Sequence, residues 1–175
     1  MSGEIRIDSV YNASVFQVCR ATSIKNPGFL PLLSQFLIES GSELPEARDL
    51  ELLDNAIRQD KVRFYMALEG EERVVGVVSL TLGFSTMRMQ PFALLGDLYV
   101  HPGHRGRGAA ATLLLAAMDA AHEMRCGFLT TETAAGMEGI FQRFGWAHTS
   151  DVMAVEINLG GAPPSLTITG DLVFD

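Results

Sequence analysis

Residues 95–111 read L-G-D-L-Y-V-H-P-G-H-R-G-R-G-A-A-A, an apolar strand running into a glycine-rich turn and then into a helix-forming run of alanines. Gly106 and Gly108 carry no Cβ, so the backbone there can bend sharply and offer several N–H groups to one bound anion. A helix that starts just after them adds its positive end. Its first-turn N–H groups have no intrahelical acceptor, and the macrodipole places about half a positive charge there. The chemistry these residue types serve is the capture of a phosphate or diphosphate, with Arg105 and Arg107 as further cations in the turn.

Spacing separates the loops of this kind. A nucleotide-hydrolase P-loop ends in Gly-Lys-Ser/Thr, whereas the lysines of this chain, Lys25 and Lys61, precede Asn26 and Val62, so that loop is excluded. The dinucleotide fingerprint G-x-G-x-x-G/A is met literally by Gly106, Gly108 and Ala111, with Glu132 near the distance of a ribose-binding acid. In that fold, however, the glycines follow the strand directly and open the domain. Here residues 101–105 intervene and more than half of the chain precedes. A third pattern, Arg/Gln-x-x-Gly-x-Gly/Ala, is met by Arg105, Gly108 and Ala110 after an L-Y-V-x-P entry. In these residues the chain resembles the GNAT superfamily of N-acetyltransferases. The likeness extends to I-F-Q-R-F-G-W at residues 140–146, which is similar to the family's closing helix and glycine-aromatic turn.

The resemblance implies an α/β fold: a mixed, mostly antiparallel central sheet flanked by helices and splayed between its fourth and fifth strands. It implies acetyl-CoA as co-substrate. The diphosphate would sit against Arg105, Gly106, Arg107, Gly108, Ala109 and Ala110, and the backbone of Leu98, Tyr99 and Val100 would hold the pantetheine arm, with the Val100 N–H directed to the thioester carbonyl. Phe141 also falls on the coenzyme, at the position where the family often has a tyrosine that protonates the departing thiol. Phenylalanine cannot donate a proton, so another group serves or the thiolate leaves unaided; a thiol of pKa about 8.5 is a tolerable anionic leaving group near neutrality. The asparagine that often precedes that helix is replaced by Ala134.

Acyl transfer to an amine further needs a base and a stabilised oxyanion. The candidate bases are Asp97, a carboxylate among apolar strand residues that must find hydrogen-bond partners, and Glu132, which ends the following strand. Asp97 also fits an acceptor of bonds from a neighbouring loop, Glu132 fits a solvated acid, and a water chain would serve as well as either. His101 and His104 lie beside Arg105 in the turn, where they fit solvent or phosphate, and His122 and His148 have no partner pattern. No metal is expected, because the histidines show no ligand spacing and Cys19 and Cys126 are isolated thiols with neither CxxC nor Cys/His spacing; no disulfide is expected either.

The function this points to is transfer of an acetyl group from acetyl-CoA to a primary amine of a small molecule or peptide terminus, by direct attack in a ternary complex. The alternative is a catalytically silent acyl-CoA-binding or sensor domain, motivated by Phe141. The acceptor is less legible. Glu39, Glu43, Glu46, Asp49, Glu51 and Asp54 against Arg48 would attract an amine, but such a run is also an ordinary solvated helix face. Met87 and Met89 fit a lid over an acceptor, a homodimer contact or a core contact equally.

Elements must hold these residues in place. A strand is expected at 5–10, a helix at 13–24 with Asn12 as cap, helices at 29–40 and 46–60, and strands at 62–68 and 74–84 joined as a hairpin by the acidic turn Glu69-Gly70-Glu71-Glu72. Then come a strand at 92–100, a helix at 107–124, a strand at 128–131, a helix at 136–143 and a strand at 146–157. Leu114, Ala117, Met118 and Ala121 repeat at helical spacing and mark the core face of the helix after the loop. The 175 residues, 47% hydrophobic, suffice for one core, so residues 1–160 read as a single domain; the Gly160–Pro164 break leaves 161–175 as a tail with a possible extra strand, docked on this core or on a partner. A net charge of −8 argues against nucleic-acid binding, the apolar run 109–118 is too short for a membrane span, and the unremarkable N-terminus leads us to expect a cytoplasmic protein.

Overall fold

The computed structural model describes residues 16–132 and 138–147. Five strands, β1 (Phe16–Ala21), β2 (Val62–Glu69), β3 (Arg73–Ser85), β4 (Gln90–Val100) and β5 (Phe128–Thr131), form one sheet in sequence order. Neighbours are antiparallel except β4 and β5, which run parallel. Helices α1 (Phe29–Glu39) and α2 (Ala47–Arg58) cover one face around Phe29, Leu32, Leu33, Ile57, Phe64, Val77 and Tyr99; α3 (Ala109–Glu123) and α4 (Glu138–Arg143) cover the other around Leu80, Leu95, Leu113, Leu114, Ala117 and Phe141. This is the mixed, mostly antiparallel sheet flanked by helices that the resemblance implied.

The helix expected at 13–24 is a correction. Residues 16–21 are strand β1, in register with β2 from Phe16 opposite Glu69 to Ala21 opposite Phe64. Phe16, Val18 and Cys19 favour the pleated surface of a sheet, and a ladder with β2 satisfies their backbone groups across the chain, which outweighs a weak local helix preference. The chain leaves β1 through a turn closed by Asn26, whose Oδ1 accepts the N–H of Thr22 at 2.8 Å and of Ser23 at 3.0 Å. The strands expected at 5–10 and, beyond Ala147, at 146–157 lie outside the described residues, as does the tail 161–175.

Two features of β4 position the site. Its parallel pairing with β5 covers Phe92 to Leu95 and stops there, while β4 itself continues to Val100 against β3. At the point of parting the register with β3 shifts: Leu95 faces Leu80 and Leu98 faces Val78, leaving Gly96 and Asp97 opposite Ser79. The extra residue is a β-bulge. It reverses the alternation, so that Ala93 and Leu95 before it, and Leu98 and Val100 after it, all pack towards α3. Tyr99 is thereby turned to the α1 face, against Phe36.

Gly76 brings α3 and the end of β4 together. It is paired with Val100, and a Cβ there would meet Leu113 Cδ1 and the Tyr99 carbonyl at 3.0 Å. A methyl there would force these neighbours to shift, which hydrogen does not.

Candidate active site

The chain leaves β4 at Val100, and His101 donates its N–H back to the Val75 carbonyl at 2.8 Å. A 3-10 turn, Pro102–His104, follows, with His101 Nδ1 accepting the Gly103 N–H at 3.1 Å. Gly106 and Gly108 then take φ values of 73° and 94°, the left-handed region that glycine enters without strain. Gly108 is the N-cap of α3, which therefore begins two residues later than the expected 107. The first bond inside the helix runs from Thr112 N–H to the Gly108 carbonyl at 3.0 Å, so the amides of Ala109, Ala110 and Ala111 precede the ladder. Amides so placed can donate to an anion.

The loop's side-chain cations turn back towards the fold. Arg105 Nε donates to the Val100 carbonyl at 2.9 Å, its guanidinium lies 5.6 Å from the centroid of the Tyr99 ring, and its Nη2 is ion-paired with Glu39 at the end of α1. Arg107 is ion-paired with Glu69 of β2, whose second oxygen lies 3.1 Å from His104 Nε2. The bond from Arg105, and then that from Tyr99, holds the Glu39 carboxyl below the usual carboxylate range, and Arg107 does the same for Glu69. Tyr99 shifts the other way: burial, then the bond to Glu39, pushes its phenol up to about 12. With both arginines paired to carboxylates, the donors that the loop leaves open are chiefly those of the main chain.

Two clefts open here. One, of about 410 Å3, lies over the loop and the start of α3 and is lined on its far side by Ile140, Arg143 and Phe144. The other, of about 470 Å3, runs between β4 and α1 and is lined by Phe36, Glu39, Ser40, Leu98 and Tyr99. Val100, Arg105, Ala110 and Ile140 line both, so the two share a wall along the end of β4.

The structure gathers Leu98, Tyr99, Val100, Arg105, Gly106, Gly108, Ala109 and Ala110 around these clefts. Arg107 stands at their edge on Glu69. Phe141 is buried in the core with its ring 5.1 Å from that of Trp146, and its helix neighbours Ile140 and Phe144 face the cleft. Asp97 is bonded to Ser79, and Glu132 is exposed at the end of β5. Met87 and Met89 lie exposed in the turn before β4. The 11 residues of β4, spanning about 35 Å at the usual strand rise, separate them from the loop. Neither lines either of these two clefts, so a lid over them, one of the three roles that the sequence left open, has no support in this geometry.

Of the wall formed by Phe36, Glu39 and Ser40, and of that formed by Ile140, Arg143 and Phe144, sequence reasoning takes Glu39 only as part of an acidic run and residues 140–144 only as part of the closing-helix motif, and it passes over Phe36 and Ser40. Each set has i, i+3 and i+4 spacing, which marks one face of a helix. What that face meets is not written in the spacing. Among the described residues no three His, Cys, Asp or Glu side chains gather as a metal site would require, and no helix is long and apolar enough to cross a membrane.

The sequence matches the Acetyltransferase (GNAT) family over residues 29–146. No curated protein matches it. Solved structures share the fold: a probable acetyltransferase, 19% identical with a TM-score of 0.72, over 83% of this chain and 99% of that one. The aminoglycoside acetyltransferase meta-AAC0020 from an uncultured soil metagenomic sample, in complex with sisomicin, is 18% identical with a TM-score of 0.68, over 83% of this chain and 97% of its own. A predicted acetyltransferase from Clostridium acetobutylicum, with acetyl-CoA, is 15% identical with a TM-score of 0.65, over 81% of this chain and 96% of its own.

Proposed function

The chain belongs to the GNAT family of acetyltransferases, and from that premise we propose that it transfers an acetyl group from acetyl-CoA to a primary amine of a small molecule or peptide terminus, by direct attack in a ternary complex. One observation carries the reading: the left-handed Gly106 and Gly108 aim the free amides at the start of α3 into a cleft that continues along the end of β4. An anionic diphosphate fits the amides, and a thioester arm fits the apolar wall of Leu98, Val100, Ala110 and Ile140.

In this reading the Val100 N–H meets the thioester carbonyl and stabilises the oxyanion that forms when the amine attacks. The amine arrives past α1 and must lose a proton, to Asp97, to Glu132 or to a water chain. Collapse of the tetrahedral intermediate breaks the C–S bond, and the thiolate, of ordinary pKa about 8.5, departs as an anion. The phenol that lines the cleft, Tyr99, stays protonated near neutral pH and gives its hydrogen bond to Glu39.

Thiol release from acetyl-CoA, followed across a panel of amines, tests this. Release above the amine-free rate supports the enzyme. Tight coenzyme binding with no release for any amine would favour the silent acyl-CoA-binding domain, for which the absence of a hydroxyl at Phe141 speaks.

A further inference from the structure

Glu39 belongs to neither the phosphate loop nor the strand that enters it, yet it is bonded to both. Its Oε1 pairs with Arg105, and its Oε2 accepts the Tyr99 hydroxyl at 2.8 Å. Arg105 in turn donates Nε to the Val100 carbonyl at 2.9 Å, while the N–H of the same peptide, on His101, is held by the Val75 carbonyl at 2.8 Å. A single carboxylate on α1 thus clamps the peptides on either side of Val100: the following one through Arg105, and the preceding residue through the ring of Tyr99. β5 does not pair with this stretch, since its ladder ends at Leu95. The side-chain clamp stands where a neighbouring strand would otherwise hold the backbone.

We propose that Glu39 is a positioning residue for acyl transfer, which through Arg105 and Tyr99 holds the Val100 peptide in the orientation that receives the thioester carbonyl. The proposal rests on the acyl-CoA reading above. A donor stabilises an oxyanion only when its direction is set before the reaction, because reorientation would consume the stabilisation. The competing role for this pair is electrostatic, with Arg105 serving the diphosphate directly and Glu39 merely storing it. The two roles differ in which part of the coenzyme feels the loss. A diphosphate contact is common to CoASH and acetyl-CoA, whereas an acyl-carbonyl contact belongs to acetyl-CoA alone.

The test is calorimetric titration of the full chain and its Glu39→Ala and Glu39→Gln variants with CoASH and with acetyl-CoA, alongside amide NMR spectra. In Glu39→Ala the Kd for CoASH should stay within about twofold of wild type, while that for acetyl-CoA rises about five- to tenfold, the loss of one hydrogen bond. Glu39→Gln keeps an acceptor oxygen for Tyr99 or Arg105 and should recover part of the difference. The Val100 and His101 amide resonances should move in Glu39→Ala without ligand. Equal weakening of both ligands would assign the pair to the diphosphate and overturn the positioning role, as would acetyl-CoA affinity unchanged in both variants. A wild-type chain that binds neither ligand would instead overturn the coenzyme reading itself.

Discussion

The Ser79 hydroxyl and Asp97 form a two-way bridge across the bulge of β4: Ser79 Oγ accepts the Asp97 N–H at 2.8 Å and donates to Asp97 Oδ2 at 3.0 Å. Ser79 is a buried polar side chain in a strand otherwise lined by Val77, Val78 and Leu80. Its hydroxyl substitutes for the ladder bond that the extra residue removes. Ser79→Ala would leave the Asp97 amide without that acceptor, and we expect a loss of about 1–3 kcal/mol in urea denaturation. Amide resonances of Leu98 to Val100 should shift as well. An unchanged midpoint and spectrum would mean that the bulge holds its shape without the serine.

Gly108 lines the first cleft, has φ 94° and has no heavy atom within 4 Å of the place where a Cβ would stand, so a side chain there meets open space rather than the fold. Gly108→Ala should lower stability by about 1–2 kcal/mol through the left-handed backbone alone. Gly108→Glu adds a carboxylate at the turn proposed to hold the diphosphate and should abolish CoASH binding in calorimetry. Wild-type affinity in the Glu variant would remove the diphosphate from this turn.

At Gly76 the space is already occupied, with Leu113 Cδ1 and the Tyr99 carbonyl at 3.0 Å and Val100 Cγ2 at 3.2 Å from an added methyl. Backbone cannot yield as a flexible side chain such as Leu113 can, so the methyl of Gly76→Ala should strain the β3–β4 pairing at the Tyr99 carbonyl and destabilise by about 1–3 kcal/mol. Chemical denaturation measures the loss. A neutral result would show that Leu113 and the strand pairing give way at no cost.

Asp54 ties α2 to the turn after β1. It accepts the Ser23 hydroxyl at 2.6 Å, Arg58 Nε at 2.6 Å and the Ile24 N–H at 2.9 Å, and these bonds, Ser23 foremost, hold its carboxyl at about 2 against an ordinary 3.8. A depressed acid binds fewer protons folded than unfolded, so its stabilisation is complete above the ordinary value and disappears as pH falls towards the folded one. The melting-temperature gap between wild type and Asp54→Asn should therefore be constant above about pH 5 and close between about pH 4 and 2. A gap that persists at pH 2 would mean that the bonds serve the neutral acid equally well.

Much of the fold could be read directly. Helices α1 and α2, the β2–β3 hairpin, β4, the glycine turn and α3 lie within a few residues of their expected places, because apolar periodicity and glycine act locally. Strand β1 could not. Residues 16–21 contain no signal strong enough to choose strand over helix, and the edge of β2, more than forty positions away, makes the choice. Arg105 shows the same limit within the site. Its type and position announce an anion loop, yet the partner of its guanidinium is Glu39 on another helix.

The amino-acid order alone determined that a glycine turn would sit between a strand and a helix, since residues without Cβ enter that backbone without strain and the alanines that follow start a helix readily. It likewise determined which side chains alternate into the core. The tertiary structure decided where the alternation reverses, at the bulge beside Ser79, and which carboxylates take the loop's two arginines. Those choices depend on groups brought together from distant parts of the chain. A charge or hydroxyl finds its partner by proximity in space, and proximity exists only once the sheet has assembled and the helices have packed against it.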